Sequence, residues 1–187
     1  MLISKYGNVD EKILNEFFDK REVVLPELYR KFLVKYNGGE TPNTYSKNDI
    51  VNTDVRAFYG VEVNGEYDFL KSCKKSMWNK YLKDGMLQIA VNCFGDDILL
   101  CVMGKNQGKV YFKYHDKQKD YELMANDFIE FINNCESEQI GHIKTIEERK
   151  QMLIQSGMGS RINEVMIEGW KKEIDRFTAY HQEEVTI

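Results

Sequence analysis

Proline, cysteine and histidine are scarce in this chain: two, four and three among 187 residues. The cysteines, Cys73, Cys93, Cys101 and Cys135, are scattered, with the closest pair eight positions apart, which excludes zinc-knuckle and CxxC redox spacing. His115, His142 and His181 stand alone, and neither HExxH nor GxSxG is present. No apolar run approaches the roughly 20 residues that a membrane-spanning helix needs. The opening MLISKYGNVDEKI has no apolar core of signal-peptide length, so a cytoplasmic protein with reduced, mostly buried thiols is expected. A basic surplus is also missing: 26 Lys and Arg face 30 Asp and Glu, for a net charge of −4. That argues against a dedicated nucleic-acid binder and mildly favours basic partners. Internal repeats and low-complexity segments are absent.

Apolar and aromatic residues are plentiful, at 42% and 12% of the chain, enough for one globular domain with a sizeable core. The stretch from Gln88 to Cys135 organises the rest. Within it, Asp97 to Met103 puts Ile98, Leu100 and Val102 on one side of an extended strand and Leu99, Cys101 and Met103 on the other. A strand apolar on both faces belongs in the interior of a sheet. The segment Gly104 to Gly108 has hairpin length, with glycine at both ends. Lys109 to His115 returns as the partner strand, with Val110, Phe112 and Tyr114 on one face and Tyr111, Lys113 and His115 on a partly wet one. A polar turn from His115 to Asp120 leads to a short strand. A helix follows, capped by Asn126 or Asp127, with Phe128, Ile132 and Cys135 at helical spacing.

Upstream, Asp10 caps a predicted helix whose stripe is Ile13, Leu14, Phe17 and Phe18. Leu25-Pro26 opens a second, burying Leu28, Tyr29, Phe32, Leu33 and Tyr36. Asn37-Gly38-Gly39 ends it, and the glycine pair reads as a left-handed cap rather than an anion cradle. Thr44 to Val63 reads as extended, with Tyr45, Ile50, Val51, Val55, Phe58 and Tyr59 as strand residues. Tyr67 to Leu82 reads as one helix, with Leu70, Cys73, Met77 and Tyr81 on its stripe and Trp78 beside it. Towards the end, Thr145 and Glu148 form a capping box, and Met166, Trp170, Ile174 and Phe177 line a further helix that begins near Asn163. The expected fold is α+β: a twisted antiparallel meander flanked by helices over residues 1–140, and a helical extension over 141–187 docked on the same domain with Trp170 buried.

The motifs with the residue types for chemistry are weak. Gly104 to Lys109 is one residue short of a phosphate-binding loop and joins two strands. Asp96 and Asp97 are adjacent strand residues that point to opposite faces. His115-Asp116 has no nucleophile beside it in the local sequence. No cofactor, metal or catalytic residue is therefore expected.

The run IAVNCFGDDILLCVMGKNQGKVYFKYHD followed by MANDFIEFI resembles the core signature of the SMI1/KNR4 (SUKH) superfamily. Leu25 to Asn43 and Ala57 to Val61 resemble its N-terminal helix with double glycine and its strand-end motif. These blocks span about Asp10 to Glu136. Where the family usually has a glycine-rich segment, Asn92 to Asp97 holds a single glycine, Gly95. The resemblance implies a non-catalytic protein-binding module. Bacterial members are immunity proteins that neutralise polymorphic toxins, often nucleases or deaminases, by steric occlusion, and fungal relatives are regulatory hubs. On that reading the partner is a toxin domain, and the contacts come from Tyr45, Phe58, Tyr59, Asp96, Asp97, Tyr111, Tyr114 and Asp116. Two other readings stand beside it: a small ligand-binding or enzymatic domain using the polar face near His115, and a regulatory adaptor.

Overall fold

The computed structural model describes residues 1–74, 76–117 and 121–187, without side-chain description for Ser76, Met77 and Asn79. It divides into two compact units, Met1–Glu138 together with Glu183–Ile187, and Gln139–Gln182.

The first unit opens with β1 (Leu2–Lys5), α1 (Glu11–Asp19), α2 (Glu27–Tyr36) and β2 (Gly39–Glu40). β3 (Thr44–Lys47), β4 (Asn52–Asp54), β5 (Ala57–Phe58), α3 (Phe69–Cys73), α4 (Ser76–Lys83), β6 (Met86–Val91) and β7 (Asp97–Cys101) follow. β8 (Val110–Lys113), β9 (Glu122–Ala125), α5 (Phe128–Asn133) and β10 (Cys135–Ser137) complete it, apart from a final strand. The second unit holds α6 (Ile146–Gln155) and α7 (Glu164–Thr178), after which β11 (Glu183–Glu184) rejoins the first. Among the described residues the main sheet runs β11-β1-β2-β5-β6-β7-β8-β9, every pairing antiparallel, and β10-β3-β4 form a second, small sheet. The chain is thus α+β with a β5-to-β9 meander at its centre.

All five residues of β7 are buried, and it pairs with β6 on one side and β8 on the other. Its pleat divides the interior. Ile98 and Leu100 join the large core with Phe32, Phe58, Phe112 and Phe128, whereas Leu99 and Cys101 join a smaller one with Tyr81 and Met86. The helices that cover the large core start where local chemistry allows. Asp10 accepts from the Lys12 N–H at 2.7 Å to start α1, and Asp127 from the Glu130 N–H at 2.8 Å to start α5. Leu14, Phe17 and Phe18 of α1 are buried, whereas Ile13 is exposed.

Three local expectations are corrected. The left-handed residue that ends α2 is Asn37, φ 49°, not a glycine. Its side chain also accepts from the Val61 N–H at 2.8 Å and donates to the Val61 carbonyl at 2.9 Å. Gly38 and Gly39 instead let β2 lie against neighbouring backbone: a Cβ on Gly38 would stand 2.6 Å from the carbonyl oxygens of Phe58 and Tyr59. The helix expected over Tyr67–Leu82 is two helices. At about 100° per residue, one continuous helix would put Phe69 and Trp78 on opposite faces. The break lets both enter the large core, with ring centroids 5.6 Å apart. Leu70 is exposed, Cys73 is half-buried, and the Met77 side chain lies outside the described residues. Cys135 sits in β10 and not in α5. Burial pushes its thiol up to about 12.

In the helical unit, Thr145 Oγ1 accepts from the Glu148 N–H, and Glu148 accepts in return from the Thr145 N–H at 2.7 Å. That backbone bond, together with His142, holds the Glu148 carboxyl down to about 2. The Arg149 guanidinium donates twice to Glu173, at 3.0 Å each, tying α6 to α7. Neither helix has a fully buried residue, and Trp170 is only half-buried. The chain's last segment is not helical: Val185 is buried in the large core, and Tyr36 and Lys35 bond Thr186. No described helix is long and apolar enough to cross a membrane.

Candidate protein-binding surface

One end of the sheet carries Tyr45 and Phe94, the exposed aromatic side chains among the described residues of the first unit. The β6–β7 turn builds it. Asn92 Oδ1 accepts from the N–H groups of Phe94 and Asp96, at 3.0 and 2.8 Å, and Asn92 Nδ2 donates to Thr53 Oγ1 and to Asp96 Oδ2, at 3.1 and 3.0 Å. This side chain does the work expected of a turn-forming Asx residue. Gly95 supplies the left-handed step, φ 84°. The turn therefore holds Phe94 rigidly at its tip, 74% exposed.

Phe94 is the ridge between two grooves. One, about 410 Å³, lies towards β3, β4 and the end of β8, with Tyr45, Asp54, Asp96, Phe112 and Tyr114 among its walls. The other, about 620 Å³, lies towards Arg56, Tyr59, Glu66, Tyr67 and Lys71. Tyr45 projects from β3 and is exposed, and Tyr114 is half-buried, edge-on to Phe112 at 4.8 Å between centroids. At the foot of the turn, Asp54 accepts from the Cys93 N–H at 2.8 Å and from its thiol at 3.3 Å. Desolvation and this carboxylate both push the Cys93 thiol up, which disfavours its thiolate.

The eight residues expected to make contacts divide. Tyr45, Asp96 and Tyr114 line the first groove together, and exposed Asp116 follows β8. Tyr59 is buried but forms part of the second groove's wall. Phe58, fully buried in the large core, and Asp97 leave the set, because neither presents surface. Asp97 belongs to an internal network: Tyr81 donates to it at 2.6 Å, the Gln88 amide donates to it and, at 3.2 Å, to the Tyr59 hydroxyl, and Ser72 donates to Gln88 at 2.6 Å. Burial first, and then Asp97 itself, push the Tyr59 and Tyr81 phenols up, so both stay neutral. Tyr111 packs beside the small core on the other face of the sheet. Sequence reading missed Phe94, Asn92 and Asp54. An aromatic residue enclosed by turn formers, Asn92-Cys-Phe-Gly-Asp96, was the available signal.

His115 pairs with Asp96 rather than acting with Asp116: its backbone N–H and ring Nδ1 lie 3.0 and 2.7 Å from Asp96 Oδ1. Asp96, His115 and Asp116 bring possible metal-ligand atoms within 4.8 Å of one another, but the Asp96 oxygens are already committed to His115 and Asn92. Desolvation works against the Asp96 carboxylate, yet the bonds from His115 and Asn92 hold it below the ordinary carboxylate range. The bond to Asp96 in turn holds the His115 imidazole above its ordinary value, against desolvation.

The pair's contribution to stability is therefore complete between the ordinary values of about 4 and about 6.5. It fades as pH rises through the raised pKa of folded His115, and again as pH falls through the lowered pKa of folded Asp96. In an NMR titration the His115 midpoint should lie above about 6.5 and return towards it in Asp96→Asn. An unchanged midpoint would remove the coupling.

The model of the SMI1 / KNR4 family (SUKH-1) matches residues 8–134, which takes in both grooves and the whole central meander. No curated protein matches the chain.

Proposed function

The chain belongs to the SMI1/KNR4 family (SUKH-1), and from that premise we propose that it is a non-catalytic binding module, an immunity protein that neutralises a toxin domain by covering its active site. It would act in the cytoplasm, on a nuclease or deaminase toxin. The observation that carries the reading is Phe94, a large aromatic side chain held in water by a hydrogen-bonded turn, with a groove on either side and Tyr45 and Tyr114 beside it. Rigid aromatic anchors of this kind dominate binding energy in protein interfaces, and surrounding carboxylates set orientation and partner choice. A small enzyme is disfavoured at the same place, because the polar groups around His115 are spent on holding the turn and the nearby thiolate is disfavoured.

The test is co-expression with the toxin domain encoded beside the gene. Wild type should restore growth, and Phe94→Ala should weaken the purified complex by at least about 2 kcal/mol, roughly thirtyfold. Because Phe94 is so exposed, its loss should leave the unfolding midpoint of the free protein unchanged within about 0.5 kcal/mol. A toxin that stays lethal beside wild type, or a complex indifferent to Phe94→Ala, would refute the proposal.

A further inference from the structure

Within the binding role proposed above, on which this step rests, the groove between Phe94 and the β3–β4 hairpin has a specific chemistry. Its formal charge is set by two carboxylates and one lysine. Asp54 and Asp96 contribute carboxylates, Asn52 an exposed amide, and Asn92 an amide whose Nδ2 is already given to Thr53 and Asp96. Lys47 is the only cation among the described lining residues, and its Nζ is turned to Glu136 at 3.0 Å. Four aromatic rings, from Tyr45, Phe94, Phe112 and Tyr114, border the same space. One of them already attracts a cation from within the chain, since Lys117 Nζ lies 3.7 Å from the centroid of the Tyr114 ring.

Asp96 is committed to His115 and Asn92, but half-buried Asp54, its side chain bonded among the described residues to Cys93 alone, keeps acceptor capacity among its roughly four lone-pair sites. A carboxylate framed by aromatic rings suits a planar cation. A guanidinium can stack on a ring while its N–H fork meets a carboxylate, and it loses less hydration on entry than an ammonium. An anion would meet the repulsion of two carboxylates, and an apolar side chain would strand them without water. The volume of about 410 Å³ admits one arginine side chain with its backbone. We propose that this groove receives an arginine side chain projecting from a loop of the partner protein, with Asp54 as its principal charge partner and Phe94 and Tyr45 as its stacking surfaces. The partner surface is thus a cationic one, as the chain's own net charge of −4 favours.

The experiment uses the full chain, labelled with ¹⁵N, titrated with the blocked tripeptide Ac-Gly-Arg-Gly-NH₂ and with its citrulline counterpart, which keeps the shape and loses the charge. The arginine peptide should produce saturable amide shifts at Asp54, Cys93 and Phe94, and the citrulline peptide should bind at least tenfold more weakly. Asp54→Asn should abolish that difference while leaving the rest of the spectrum in place, because the asparagine carbonyl can still accept from the Cys93 N–H. Equal shifts from both peptides, shifts located elsewhere, or no response to the arginine peptide would overturn the inference. Growth rescue by Asp54→Asn equal to wild type would overturn it too, yet leave the immunity role standing. Failure of wild type to rescue would remove the immunity role alone, since the peptide titration reads the groove directly.

Discussion

Gly38→Ala should cost the first unit about 2–5 kcal/mol, although it adds a single methyl group to a residue outside any helix. Two terms add. Gly38 has φ +76°, where an L-residue is strained by about 1–2 kcal/mol. The new Cβ would also stand 2.6 Å from the backbone oxygens of Phe58 and Tyr59, and backbone cannot rotate away as a side chain can. Overpacking of this kind costs about 1–3 kcal/mol. The displaced segment is β5, on which the sheet order β2-β5-β6 depends, so the strain falls on the main sheet's register. Gly95→Ala is the matched control. It has a similar φ of +84° but nothing within 4 Å of its Cβ, so only the conformational cost of about 1–2 kcal/mol should appear. Urea unfolding in a Trp170→Phe background, which leaves buried Trp78 as the one tryptophan reporter in the first unit, measures both. Equal midpoints for the two variants would show that close backbone approach at Gly38 contributes nothing.

Phe32→Ala should cost about 4–5 kcal/mol, by a different mechanism. Phe32 is fully buried at the centre of an aromatic nucleus, with ring centroids 5.9 Å from Tyr29, 5.3 Å from Tyr36, 5.2 Å from Phe58 and 5.1 Å from Phe128. Truncating a buried phenylalanine typically costs about 3–5 kcal/mol through lost burial and the cavity left behind. The upper part of that range is expected here, because the neighbours are rings held on three separate elements, α2, β5 and α5, and cannot collapse together into the space. Each aromatic pair lost adds about 0.5–1.5 kcal/mol beyond area burial. Tyr45→Ala, on the exposed face of β3, should by contrast stay within about 0.5 kcal/mol of wild type. A Phe32→Ala midpoint close to that of Tyr45→Ala would mean that the nucleus is not packed as described. Both large losses compare with a total stability of about 5–15 kcal/mol for an ordinary domain, so either variant should be difficult to keep folded at elevated temperature.

The sequence alone was enough for whatever is decided within a few residues. Two-sided apolarity identified the interior strand, because an edge strand seldom hides both of its faces, but the strand ends at Cys101, and Met103, expected on its second apolar face, is exposed. The caps at Asp10, Asp127 and Thr145 were readable, since each side chain meets a backbone N–H two or three residues away. Which outward-facing groups remain in water was not readable, and neither was anything set by where distant backbone passes. Phe58 and Asp97 look like surface candidates by composition, but other elements cover them. Gly38 looks like a helix cap, but the carbonyls of Phe58 and Tyr59 govern it. Phe69 and Trp78 lie on opposite sides of an ideal helix, yet packing against a common core breaks that helix to bring them together. Periodicity records how a segment divides its own faces. Burial depends on what arrives from elsewhere in the chain, and only the assembled sheet decided that Phe94, at a turn held by Asn92, would be the side chain left standing between two grooves.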